Sequence, residues 1–117
     1  VSPASVALPL ERDGVDLTLA ALADPVRRRS IELLAEHPRR AGELAGALGV
    51  SAQVMSRHLR ILRGADLVED AHPSFDARVR VYSLRAASMG ALKAWLAGAE
   101  AGWAQQLEAF RDHVERG

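Results

Sequence analysis

The chain has no cysteine, a single lysine, five aromatic side chains and no excess of charge of either sign. Without cysteine it can form no disulfide or thiolate metal site, and it has no thiol redox chemistry. Its apolar runs, such as Leu17 to Ala23, are far shorter than a bilayer requires, so no transmembrane span is expected. Acids at Glu11, Asp13 and Asp16, with no basic n-region, argue against a signal peptide. A phosphate loop, a His-Glu-x-x-His helix and a nucleophile elbow are also missing, so an enzyme is not expected and no cofactor is called for. What is there is 117 residues, 49% hydrophobic and 26% charged, an ordinary balance for one globular, cytoplasmic domain.

The charge is unevenly placed. Residues 1–24 carry four acids and one base, whereas residues 25–63 carry eight arginines against Glu32, Glu36 and Glu43. Segments 64–85 and 86–117 each hold one more acid than base. A basic block therefore sits between acidic ends. Such a block is either a solvated helical face or the footprint of a polyanion.

Periodicity and punctuation order the chain. Residues 1–14 hold two prolines and Gly14 without a sustained period, and read as an N-terminal arm; residues 15–117 form the domain. Leu17, Leu19, Ala20, Leu22 and Ala23 suggest a short helix that stops at Asp24-Pro25. Asp24 then caps a second helix with Pro25 in its first turn, leaving Arg27 and Arg28 mainly outward. Pro38 stops that helix, residues 41–48 form a third, and Ser51 caps a fourth that runs to about Gly64. Residues 67–70 and 78–82 read as two short strands around a loop at 72–77. From about Ala86 the helical period returns to Arg116, with Gly98 and Gly102 marking a candidate break. The expected fold is mainly α with a small β-hairpin: four helices, the hairpin, and a long amphipathic helix.

The segment from Ala41 to Leu59 carries the strongest signal. Ala45 lets two helices approach closely, and Gly49 permits the positive φ of a tight turn between them. Val50, Met55, Leu59 and Leu62 hold the second helix of the pair against the first. Gln53, Ser56, Arg57 and Arg60 then point outward from a helix whose N-terminus, at Ser51, favours phosphate. In the second strand, Val79 and Val81 are expected to face the protein and Arg78 and Arg80 to project the other way. Tyr82 shares the parity of the arginines, so the strand must twist or the tyrosine must pack at the rim. Together these elements are a winged helix-turn-helix, and the expected partner is double-stranded DNA. The alternative is a protein-docking module, but its docking helix would expose aromatics or leucines where this one is polar and basic.

Leu22-Ala23-Asp24-Pro25-Val26-Arg27-Arg28-Arg29, Gly42-Glu43-Leu44-Ala45, Val50-Ser51, Met55-Ser56-Arg57-His58-Leu59-Arg60-Ile61-Leu62, Leu67-Val68 and Val81-Tyr82-Ser83-Leu84 follow one another in an order that resembles the ArsR-type bacterial transcriptional regulators. The resemblance spans about residues 16–115. It implies a homodimeric repressor that leaves DNA on an allosteric cue. Ala52 stands where family members often carry glutamine, so either Gln53 takes over that readout or the base preference differs. Asp66 replaces the glycine common before the first strand. The family's thiolate ligands would fall on Arg40 and Gly42, and its Asp/His ligands on Ala86, Ser88, Ala99 and Gly102. None of these is a plausible metal ligand, so a metal response through those sites is not expected.

Leu92, Trp95, Leu96, Ala99, Trp103, Leu107, Phe110 and Val114 share one stripe of the last helix. So small a core leaves this stripe little to cover, and a partner chain is the expected occupant. By the resemblance, the first helix, through Leu19 and Leu22, joins the last in that contact. The sequence names neither the operator nor an effector.

Overall fold

In the computed structural model, residues 10–72, 78–85 and 89–116 are described. Their elements are α1 (Leu10–Ala21), α2 (Pro25–Glu36), β1 (Arg39–Arg40), α3 (Ala41–Leu48), α4 (Ala52–Gly64), β2 (Val68–Ala71), β3 (Val81–Leu84) and α5 (Gly90–Arg116). Helices α2 and α4 start where the punctuation dictates. The Asp24 carboxylate accepts from the backbone N–H of Val26 at 2.8 Å and of Arg27 at 3.3 Å, satisfying donors that α2 leaves open. Ser51 does the same for α4, taking the Val54 N–H at 3.1 Å. Between α3 and α4 the chain reverses at Gly49, whose φ of 67° is left-handed and open to glycine without strain.

Helix α1 begins earlier than the sequence suggests. Residues 10–14, read as part of the arm, are its first turns, because Val15, Thr18 and Ala21 form one buried edge. Thr18 spends its hydroxyl on the Gly14 carbonyl at 2.8 Å, which lets a polar side chain sit in that edge. Residues 1–9 of the expected arm lie outside the described residues.

The core gathers Leu34 from α2, Leu44 and Ala45 from α3, and Met55, Leu59 and Leu62 from α4, closed by Leu67, Val68 and Tyr82. Burying a side chain of the Leu or Met kind contributes roughly 1.5–3 kcal/mol. Three fully buried side chains on one face of α4 therefore fix its rotation, and its opposite face is free to serve something else.

The sheet has three strands in the order β1-β3-β2, all antiparallel. Two features differ from the expectation. A two-residue strand, β1, precedes α3 and pairs Arg39 with Tyr82 and Arg40 with Val81. It carries no period of its own and exists because β3 offers it an edge. The second hairpin strand starts at Val81 rather than at residue 78, so Arg78 and Arg80 precede it. Tyr82, at 8% exposure, faces the core, which reverses the expected parity of the strand. Residues 73–77 of the hairpin loop lie outside the described residues.

Asp66 adopts the left-handed conformation, with φ 59°. The turn before β2 thus keeps the backbone geometry of a glycine, and aspartate is among the few residues that tolerate it. Arg85 donates to its carboxylate at 3.2 Å.

Helix α5 runs unbroken for 27 residues through Gly98 and Gly102, about 40 Å of helix. It leans on α1 at its start, where Leu92 is buried, and every residue from Lys93 to Arg116 is exposed. The radius of gyration is 19.4 Å. A compact chain of this length would have about 13 Å. The excess is α5 projecting from the body.

Candidate nucleic-acid interface

Helices α3 and α4 form the helix-turn-helix. Its turn is tied by the Val50 N–H on the Ala45 carbonyl at 3.1 Å. Gln53, Ser56, Arg57 and Arg60 are all exposed on α4, opposite the buried Met55, Leu59 and Leu62. Ser51 is exposed at the start of the helix, and its hydroxyl, which accepts from Val54, still has a proton to donate.

Arg63 was not singled out by the sequence, yet it belongs to the same face. Gln53, Ser56, Arg60 and Arg63 follow one another at three- and four-residue steps, so they line a single stripe along α4. That spacing was visible in the sequence, where Arg63 counted only towards the charge of the block.

The two wing arginines sit in different surroundings. Arg78 is exposed just before the wing strand β3. Arg80 shares the Asp70 carboxylate with Arg63: its Nε donates to Oδ2 at 3.1 Å and the Arg63 Nε to Oδ1 at 3.3 Å. The hydrogen bond with the Tyr82 side chain, and then the Asp70 carboxylate, raise the pKa of Arg80 above the usual arginine value, so it is charged throughout. The reading in which Arg80 simply projects from the strand is therefore corrected. Its parity is that of the inward Tyr82, and its guanidinium turns back to β2.

Arg27 is also not outward. Its guanidinium reaches the carbonyls of Ala20 and Ala21 at the end of α1, and Nη1 lies 3.2 Å from Nδ1 of His58 on α4. The last carbonyls of α1 have no partners within their own helix, and Arg27 supplies donors for two of them. Arg28 does the same for the Leu22 carbonyl at 2.7 Å.

The apolar stripe of α5 is bare. Trp95, Leu96, Trp103, Leu107 and Phe110 are between 46% and 70% exposed, and Leu19 on α1 is 41% exposed. Leu92 and Leu22, placed with them by the sequence reading, are covered within the protomer: Leu92 is buried and Leu22 packs against the core.

Of the family's metal-ligand positions, Ala86 and Ser88 lie outside the described residues, while Arg40, Gly42, Ala99 and Gly102 offer no donor that binds a metal. No helix among the described residues is long and apolar enough to cross a membrane.

Two α-helices ahead of a helix-turn-helix, a sheet with a wing and a long final helix define a winged helix-turn-helix DNA-binding domain. The family model described as "Bacterial regulatory protein, arsR family" matches residues 24–70. The HTH-type transcriptional regulator Rv2034 of Mycobacterium tuberculosis is 42% identical over 78 residues, which cover 67% of this chain and 70% of that one. The transcriptional repressor SdpR of Bacillus subtilis is 36% identical over 50 residues, covering 43% of this chain and 56% of SdpR. Among solved structures, the homodimeric winged helix-turn-helix domain of Mb0332 from Mycobacterium bovis superposes with a TM-score of 0.63 at 24% identity, over 91% of this chain and 93% of that one. The chain belongs to the ArsR family of bacterial transcriptional regulators, which are not enzymes.

Proposed function

We propose that the protein is a homodimeric repressor that reads a pseudo-palindromic operator with one α4 in each half-site. The observation that carries this reading is the division of α4 into a fully buried apolar face and an exposed stripe of Gln53, Ser56, Arg57 and Arg60. A helix held so rigidly presents its polar side chains to a major groove at a fixed angle. Gln53, early in the helix, suits bidentate pairing with adenine; Ser51, Arg78 and Arg80 suit phosphates.

The second copy is supported by α5. Leu96, Trp103, Leu107, Phe110 and Val114 recur at steps of seven, four, three and four residues, the spacing of a coiled-coil seam. They are exposed on a part of the helix that none of the other described residues covers. Leu19 on α1 adds to the apolar surface. The homodimeric state of Mb0332 favours the same occupant, and the name of SdpR favours repression over activation.

Selection of bound fragments from random duplex DNA by the full chain, with and without zinc, nickel, cadmium or arsenite, tests the proposal. It should return a two-fold motif with half-sites about one helical turn apart, roughly 34 Å. The same motif should emerge under every condition, because the residues at the family's ligand positions cannot hold a metal. Recovery of no enriched motif would overturn the reading.

A further inference from the structure

A cleft of about 330 Å³ opens between α4 and β3. Ser56, Arg60, Arg63 and Arg80 line it, over a floor of Leu59 and Tyr82. Of the described residues that line it, three are arginines and none is a carboxylate. Among the described residues their counter-charge is Asp70: paired opposite Tyr82 in the sheet, it has a side chain only 14% exposed, while Arg63 and Arg80 are 55% and 47% exposed. Each of these two arginines pairs with Asp70 through Nε and also lines the cleft, half exposed. Ser56 and Arg60 belong at once to this cleft and to the outward stripe of α4.

We propose that this cleft seats a phosphodiester of the DNA backbone, and that Asp70, as an internal counter-anion shared by Arg63 and Arg80, limits how tightly it does so. The inference rests on the DNA-binding reading above and adds to it a phosphate site and a residue that sets affinity without touching a base. Three arginines less one carboxylate leave a local charge of two, enough to draw one phosphate in. The carboxylate nevertheless occupies the Nε edges through which arginine grips a phosphate side-on, and it repels the incoming anion at short range. Asp70 is a positioning residue in this account, since it meets the phosphate only through the arginines.

The test is a set of binding titrations of the full chain against operator and scrambled duplexes at several chloride concentrations, with Asp70→Asn and Arg63→Ala. Asparagine keeps a hydrogen-bond acceptor for one arginine and removes the charge. It should tighten binding to both duplexes by about three- to tenfold, leaving their ratio unchanged. Arg63→Ala should weaken both and lower the salt slope by about one unit. Replacing chloride with inorganic phosphate at constant ionic strength should shift the wild-type affinity by less than about twofold. A tenfold loss there would make the cleft a seat for free phosphate and overturn the assignment to DNA. If Asp70→Asn leaves binding unchanged, weakens it, or strengthens the operator alone, the inference fails while the DNA-binding reading stands. A wild-type chain that binds neither duplex would remove both.

Discussion

Nη1 of Arg27, in the first turn of α2, lies 3.2 Å from Nδ1 of His58 in the middle of α4. A guanidinium can only donate, so the imidazole nitrogen accepts. The same arginine holds the last carbonyls of α1. One side chain thus ties the helix that leads to the exposed apolar surface to the helix that carries the candidate readout residues.

Arg27→Ala should cost roughly 1–3 kcal/mol of stability, since it strips a charged donor from two carbonyls and a ring nitrogen at once. Arg27→Lys should recover little, because an ammonium lacks the planar fork that reaches three acceptors. Urea denaturation of the three proteins measures both effects. A lysine variant as stable as the wild type would mean that the charge matters and the geometry does not.

The Asp24 cap makes part of the stability pH-dependent. Burial acts to raise its carboxyl, but the backbone N–H groups of Arg27 and Val26, helped by the charge of Arg27, outweigh it and hold the pKa below the ordinary carboxylate value. A group with a depressed folded pKa contributes stability that is present above its unfolded pKa, about 3.9. That contribution is lost as pH falls through the folded value. Asp24→Ala should therefore be less stable than the wild type at pH 7, and the gap should shrink as thermal melts are taken to pH 3 and below. A gap that stays constant over that range would contradict the account.

The exposed stripe of α5 predicts where the second copy sits. Trp103 is 70% exposed in the protomer, so Trp103→Glu removes nothing from the protomer's own core. It should weaken the dimer at least about tenfold, since aromatic anchors at the centre of an interface carry much of its binding energy. Sedimentation equilibrium at micromolar concentration reads the change directly. A variant that remains as dimeric as the wild type would place the interface elsewhere.

The parts legible in the sequence were those decided by a few neighbouring residues. Asp24-Pro25, Gly49 and Ser51 each act over three or four positions, and the structure has the cap, the left-handed turn and the second cap there. The apolar period of α4 gave its inner face and, by what it left over, its outward stripe. What escaped was decided by distant partners. Strand β1 has two residues and no pattern, and only β3 calls it into being. Tyr82 was placed with the arginines by alternation, whereas pairing to both neighbours begins at Val81 and turns the ring to the core. Arg27 looked like surface charge until the carbonyl end of α1 came within reach. Asp70 looked like one acid at the end of a strand, and its place beside Arg63 and Arg80 depends on the hairpin folding back to α4.

The central claim, that α4 reads base sequence, is tested most directly at Gln53. Binding of the wild type and of Gln53→Ala should be titrated against the operator, a set of operators changed one base pair at a time, and scrambled DNA. The account predicts that Gln53→Ala loses discrimination at one base pair in each half-site, worth about 1–3 kcal/mol, and keeps its affinity for scrambled DNA. A variant that weakens operator and scrambled DNA alike, or that discriminates as the wild type does at every position, would contradict it.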